Sequence, residues 1–153
     1  LRAARVQLVF IVREPTGRIA SLLELSRQFY RDAWTAQRAL DYYCERLRWL
    51  EALTRSLPVA SDAAFVTYET LVAAPGPLLR LLAQRMKIAG EFSSEYPIFD
   101  FTGRRGDPGR LIASGRVQAP RPHDPALMTG VDLGAAVEAH ADCHRALERF
   151  SGL

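Results

Sequence analysis

The chain has 153 residues, of which 48% are apolar and 24% charged, a balance that fits one globular domain (1–153) and excludes a disordered or low-complexity chain. No apolar stretch reaches the roughly 20 residues needed to span a bilayer, and the start, LRAARVQLVF, lacks the length and the small-residue cleavage site of a signal peptide. The net charge is +3, carried almost wholly by arginine, with Lys87 the only lysine; this permits an anionic ligand without demanding one, since genomic base composition also favours arginine.

Val6–Val12 is a continuous apolar run rich in β-branched residues, with no clean alternation. That pattern predicts a strand buried on both faces of a mostly parallel sheet. Pro15 ends the strand and suits a first helical turn, so a helix is expected over Thr16–Tyr30. A strand end followed by a helix start is a place where α/β proteins hold anions, on unpaired N–H groups at the positive end of the helix dipole. Arg13 adds a planar fork of donors, and the Ser21 hydroxyl reaches the same anion only if the turn folds back over the strand end.

A second helix is expected over Ala33–Leu57, with Ala36, Leu40, Tyr43, Leu47, Leu50 and Leu57 recurring at three- and four-residue steps. Tyr43, Cys44 and Trp49 read as packing residues of that helix. After the loop Val59–Asp62, Ala63–Tyr68 reads as a second short strand, and a helix with Pro75 and Pro77 in its first turn follows. Strand, helix, helix, strand, helix is half of a parallel α/β sheet, and two strands do not make a stable sheet of that kind alone. From Ala89 to Asp132 no periodicity is visible; the stretch includes TGRRGDPGR and APRPHDP, and loops this long are often functional. The last helix is expected over Leu133–Phe150. There, His140 and His144 share a face as a metal pair would, but no further ligand accompanies them, and they continue the apolar row of Leu133, Val137, Leu147 and Phe150. His123, in the Pro-rich loop, is a conceivable acid or base with no visible partner.

Val9-Phe10-Ile11-Val12-Arg13-Glu14-Pro15, followed by Arg18 and Ser21, resembles the 3'-phosphate-binding segment of sulfotransferases that use PAPS (3'-phosphoadenosine 5'-phosphosulfate). In that family a buried strand ends in Arg, an acidic residue or Asn, and Pro, and a Ser follows eight residues after the Arg. The resemblance implies that Arg13 and Ser21 hold the 3'-phosphate, with Arg18 similar to an additional basic residue of many members. Phe65-Val66-Thr67-Tyr68-Glu69-Thr70-Leu71-Val72, then Pro75, resembles the family's strand ending in Tyr-Glu-Asp-Leu, which implies that Tyr68 meets the adenine; Thr70 stands in place of the commoner Asp. The long helix containing Tyr43 and Trp49-Leu50 lies between the two motifs, as in the family. Gly103-Arg104-Arg105-Gly106-Asp107 is similar to a late basic loop on the 3'-phosphate, which brings in Arg104, Arg105 and Gly106, although Pro108 replaces the family's Trp. The independent physical case for that loop is that adjacent guanidinium forks and flexible glycines can close on a phosphate.

The resemblance implies a three-layer α/β domain with a parallel sheet, similar to P-loop NTPases, of which this chain would be the C-terminal portion. The 5'-phosphosulfate loop and the catalytic base lie upstream in the family, so the catalytic residues are unknown here and no metal is implied. The activity implied is sulfuryl transfer from PAPS to a hydroxyl or amine of a small-molecule, carbohydrate or protein acceptor, releasing adenosine 3',5'-bisphosphate. No nucleic acid partner is expected, and the compartment would be cytoplasmic, or the Golgi lumen for a protein with an N-terminal anchor. The alternative is a non-catalytic nucleotide- or polyanion-binding module with the Arg104–Arg121 loop as its contact surface; a degenerate relative with a structural role alone would bind no nucleotide.

Overall fold

The structure is a computed structural model that describes residues 7–57, 63–100, 110–119 and 122–151. The element order is β1 (Leu8–Val12), α1 (Pro15–Phe29), α2 (Ala36–Ser56), β2 (Ala63–Thr67), α3 (Tyr68–Ala73), α4 (Pro75–Arg85) and α5 (Gly134–Ser151), with short 3-10 turns at Arg110–Ser114 and Pro125–Met128. The class is mixed α/β, mostly helical, with a small parallel sheet. The chain divides into two compact units, residues 1–67 with 122–153, and residues 68–121.

In the first unit β1 and β2 run parallel, with Phe10 opposite Phe65 and Val12 opposite Thr67. Parallel neighbours need a crossover, and α1 and α2 supply it. Helix α2 packs along α5, α1 packs on α2, and α5 lies against β2. One core joins Phe10, Val12, Ala63 and Phe65 of the sheet to Ile19 and Leu23 of α1, Leu40, Tyr43 and Leu47 of α2, and Cys143, Leu147 and Phe150 of α5. The rings of Phe10 and Phe150 meet edge to face at 5.9 Å.

The expectation that β1 is buried on both faces is not met. Its burial alternates: Phe10 and Val12 face the core, while Val9 and Ile11 are 41% and 51% exposed. An unbroken apolar run shows what a strand can bury, not which faces are covered, and in this unit the core takes one face of β1. Trp49 also departs from the packing role, being 66% exposed. It stands two residues past Leu47, about 200° around the helix from that core position.

The helix boundaries follow local chemistry. Helix α1 starts with Pro15 in its first turn and Glu14 as N-cap, and ends where the Tyr30 N–H donates to the Ser26 carbonyl at 3.0 Å. Ser26 is buried; its hydroxyl donates to the Leu23 carbonyl (2.8 Å) and accepts from the Trp34 N–H (3.0 Å), tying the turn to the end of α1. Thr35 then caps α2 by accepting from the Arg38 N–H.

The strand expected to run through Tyr68 stops at Thr67, where the first unit's first segment ends, and Tyr68 opens the short helix α3 of the second unit. Leu78, Leu82, Ala83 and Met86 form the buried side of α4 and its end. Part of the segment without periodicity is organised by pairing: the Tyr96 N–H donates to the Gly115 carbonyl (2.8 Å) and the Val117 N–H to the Ser94 carbonyl (2.7 Å). Gly115 has φ +71°, a conformation glycine adopts without penalty.

Candidate functional site at the start of α1

The start of α1 differs from the open anion site expected at a strand-to-helix turn. Pro15 has no N–H to offer. The Thr16 N–H donates to the Glu14 carboxylate at 2.8 Å, and the Gly17 N–H donates to its other oxygen. The Arg18 N–H donates to the Glu14 carbonyl at 3.2 Å. The donors of the first turn are therefore engaged, and the positive end of the dipole already faces a carboxylate supplied by the chain.

The cationic group lies beside the helix start instead. The Arg13 guanidinium crosses the α-carbon of Gly17; a β-carbon there would fall 2.9 Å from Arg13 Nη2 and 3.2 Å from Nε. Its backbone is held as well, because the buried Tyr43 on α2 donates from its hydroxyl to the Arg13 carbonyl at 2.8 Å. Gly17, Ser21 and Glu24 follow at steps of four and three residues and so form one row along α1.

His123 closes that row from the far end of the sequence. Arg13 Nη2 is 3.1 Å from His123 Nε2, and His123 Nδ1 is 3.0 Å from Glu24 Oε2. A guanidinium can only donate, so Nε2 accepts from Arg13 and the Nδ1–H donates to the carboxylate, which fixes the ring as the neutral Nδ1–H tautomer. The string Arg13–His123–Glu24 runs beside α1 from Gly17 to Glu24, about 10 Å by helix rise. Ser21, half-buried, occupies the middle of the same row. The His123 side chain is 18% exposed and that of Glu24 50%. Asp124, next to His123, accepts from the Ala126 N–H at 3.0 Å and caps the 3-10 turn that follows His123.

Of the residues expected at the site, Arg13 lies beside Gly17 in the first turn of α1, and Ser21 stands one turn further along the same row. Tyr68 belongs to the second unit, as the first residue of α3. Arg104, Arg105 and Gly106 lie outside the described residues. Sequence reasoning missed Gly17 and Glu24, although their spacing with Ser21 was a readable signal. It also found no partner for His123, whose two contacts are 99 and 110 residues away in the chain.

His144 meets the Phe65 ring edge to face at 4.7 Å, and its Nδ1 is 3.3 Å from Glu148. Among the described residues no three His, Cys, Asp or Glu side chains are grouped to hold a metal ion. Burial raises the Cys44 thiol and pushes the Cys143 thiol up to about 11, so neither is a ready nucleophile. No described helix is long and apolar enough to cross a membrane.

Comparison with protein-family models, with curated proteins and with solved structures found no match to the chain.

Proposed function

We propose that this chain is the nucleotide-holding portion of a PAPS-dependent sulfotransferase, with Arg13 and Ser21 on the 3'-phosphate. The observation that carries the reading is the placement of Arg13 across Gly17, beside the helix row that presents Ser21, at the end of a parallel strand. A guanidinium and a hydroxyl one helical turn apart match a phosphate monoester, which offers several acceptor oxygens and no obligatory donor. On this reading Tyr68 meets the adenine, and Arg104, Arg105 and Gly106 close on the same phosphate. The sheet is then the edge of a larger three-layer, P-loop-like domain. The sulfuryl group moves from PAPS to a hydroxyl or amine of the acceptor, with its phosphosulfate handled by residues other than those named here.

The test is calorimetric titration of the chain with adenosine 3',5'-bisphosphate, with adenosine 5'-monophosphate as the ligand lacking the 3'-phosphate. The bisphosphate binds more tightly, and Arg13→Ala weakens it by about 10- to 100-fold, the size of a lost charge-assisted hydrogen bond. Ser21→Ala has a smaller effect in the same direction. Equal binding by the wild type and Arg13→Ala, with polyanion binding abolished by removing Arg104 and Arg105, would instead establish the polyanion-binding module.

A further inference from the structure

The string beside α1 contains more than a phosphate clamp of Arg13 and Ser21 needs. Glu24 fixes His123, and His123 presents its remaining nitrogen to Arg13. Resting on the assignment of Arg13 to the 3'-phosphate, we propose that His123 is a second ligand of that phosphate, engaged in its protonated form. Glu24 is its positioning residue, and phosphate binding and proton uptake are one event.

With Arg13 Nη2 on Nε2, the imidazole is neutral and its acceptor nitrogen is in use. A phosphate dianion that takes the Arg13 donor brings only acceptor oxygens to the same place. A bare Nε2 beside it would set lone pair against lone pair. One proton from solvent on Nε2 turns the ring into a donor on both sides, to the phosphate at Nε2 and to Glu24 at Nδ1. No covalent bond to the ligand forms or breaks; the proton added to the ring is the whole change. Histidine suits this because its charge changes near neutral pH.

The surroundings admit that charge. Arg13 faces the ring from the strand end and Glu24 from α1. Helix α1 also carries Arg18 and Arg27, with Glu14 at its cap, and the turn of His123 carries Asp124, engaged in its own cap. Among the described residues Arg13 is the cation in contact with the ring, and it is the group whose charge the incoming phosphate neutralises.

The experiment is titration of the full chain with adenosine 3',5'-bisphosphate at pH 7.5 in two buffers of different ionisation enthalpy. At this pH a phosphate monoester, whose second pKa is about 6, is mostly the dianion. The expected result is uptake of about one proton per nucleotide bound, with affinity rising as pH falls from 8 to 6.5. His123→Gln abolishes the uptake and weakens binding while Arg13 dependence remains; Glu24→Gln reduces the uptake. Adenosine 5'-monophosphate shows no comparable uptake. Arg13-dependent binding without proton exchange, unchanged in His123→Gln, overturns the proposal and leaves the phosphate reading standing. Binding that is absent, or indifferent to Arg13→Ala, overturns both. Should His123→Gln fail to fold, judged by circular dichroism, the wild-type buffer comparison and Glu24→Gln still decide.

Discussion

The hydroxyl of Tyr43, in the middle of α2, donates a 2.8 Å hydrogen bond to the backbone carbonyl of Arg13. A core residue thereby sets the position of the strand end from which the guanidinium extends. Replacing Tyr43 by Phe keeps the ring in the core and removes the donor. The expected loss is about 1–3 kcal/mol of stability, read by chemical denaturation. On the proposed reading nucleotide affinity falls as well, because the backbone of Arg13 is less firmly held. An affinity unchanged at full occupancy of the folded state would show that the bond serves stability alone.

Gly17→Ala separates the site from the fold. The new β-carbon would lie 2.9 Å from Arg13 Nη2 and closer still to the capping oxygen of Glu14, so both side chains must move. Alanine contributes about 1 kcal/mol of helix propensity, while disturbance of the cap costs about 0.5–2 kcal/mol. The two nearly offset, and thermal unfolding should change little. Binding of adenosine 3',5'-bisphosphate, in contrast, should fall by about tenfold or more, since a charge-assisted contact is displaced.

Leu147 is fully buried at the centre of the core, on the face that α5 turns to the sheet and α2. Leu147→Ala removes its side chain from a packed site and should cost about 2–5 kcal/mol. Denaturant titration gives the value. The outcome should not depend on nucleotide in a chain that has lost Arg13, because Leu147 acts through packing.

Cys143 gives a pH dependence of known sign. Burial, helped by the nearby charge of Glu51, pushes its thiol up to about 11 from an ordinary 9.0. Between these values the unfolded chain has lost the thiol proton and the folded chain keeps it. Stability from this group is therefore complete below about pH 9 and declines as pH rises toward 11, by about 2–3 kcal/mol in all. Other groups titrate in that range, so the quantity to read is the difference between wild-type and Cys143→Ala unfolding curves. That difference should shrink from pH 9 to 11; a constant difference would contradict it. Cys143 should also resist thiol-reactive reagents at pH 8 until the chain unfolds.

The order strand, helix, helix, strand, helix and the final amphipathic helix were legible because each leaves a period or a breaker in a short window. Pro15 marked the start of α1, and the Leu40–Tyr43–Leu47 row marked the buried side of α2. The exposure of Val9 and Ile11 was not legible, since it depends on what covers the sheet rather than on the strand. Helix α3, six residues long, is too short to show a period. At the candidate site, the proposed phosphate ligands Arg13 and Ser21 stood out by strand, turn and spacing. Glu24 and His123 did not, because their meeting depends on the docking of the turn at Pro125–Met128 against α1. The carboxylate of Glu14 reversed one local expectation, closing a helix start that Pro15 and the dipole alone would have left available.

That closure has an evolutionary consequence. A ligand held by main-chain N–H groups is recognised by atoms that no point mutation removes, so such a site changes only when the backbone changes. Here Glu14 keeps the main chain occupied, and on the proposed reading recognition beside α1 falls to Arg13, Ser21, Glu24 and His123, each encoded by its own codon. Ligand preference at this site can therefore drift residue by residue on an unaltered scaffold, and a single substitution can tune it or erase it.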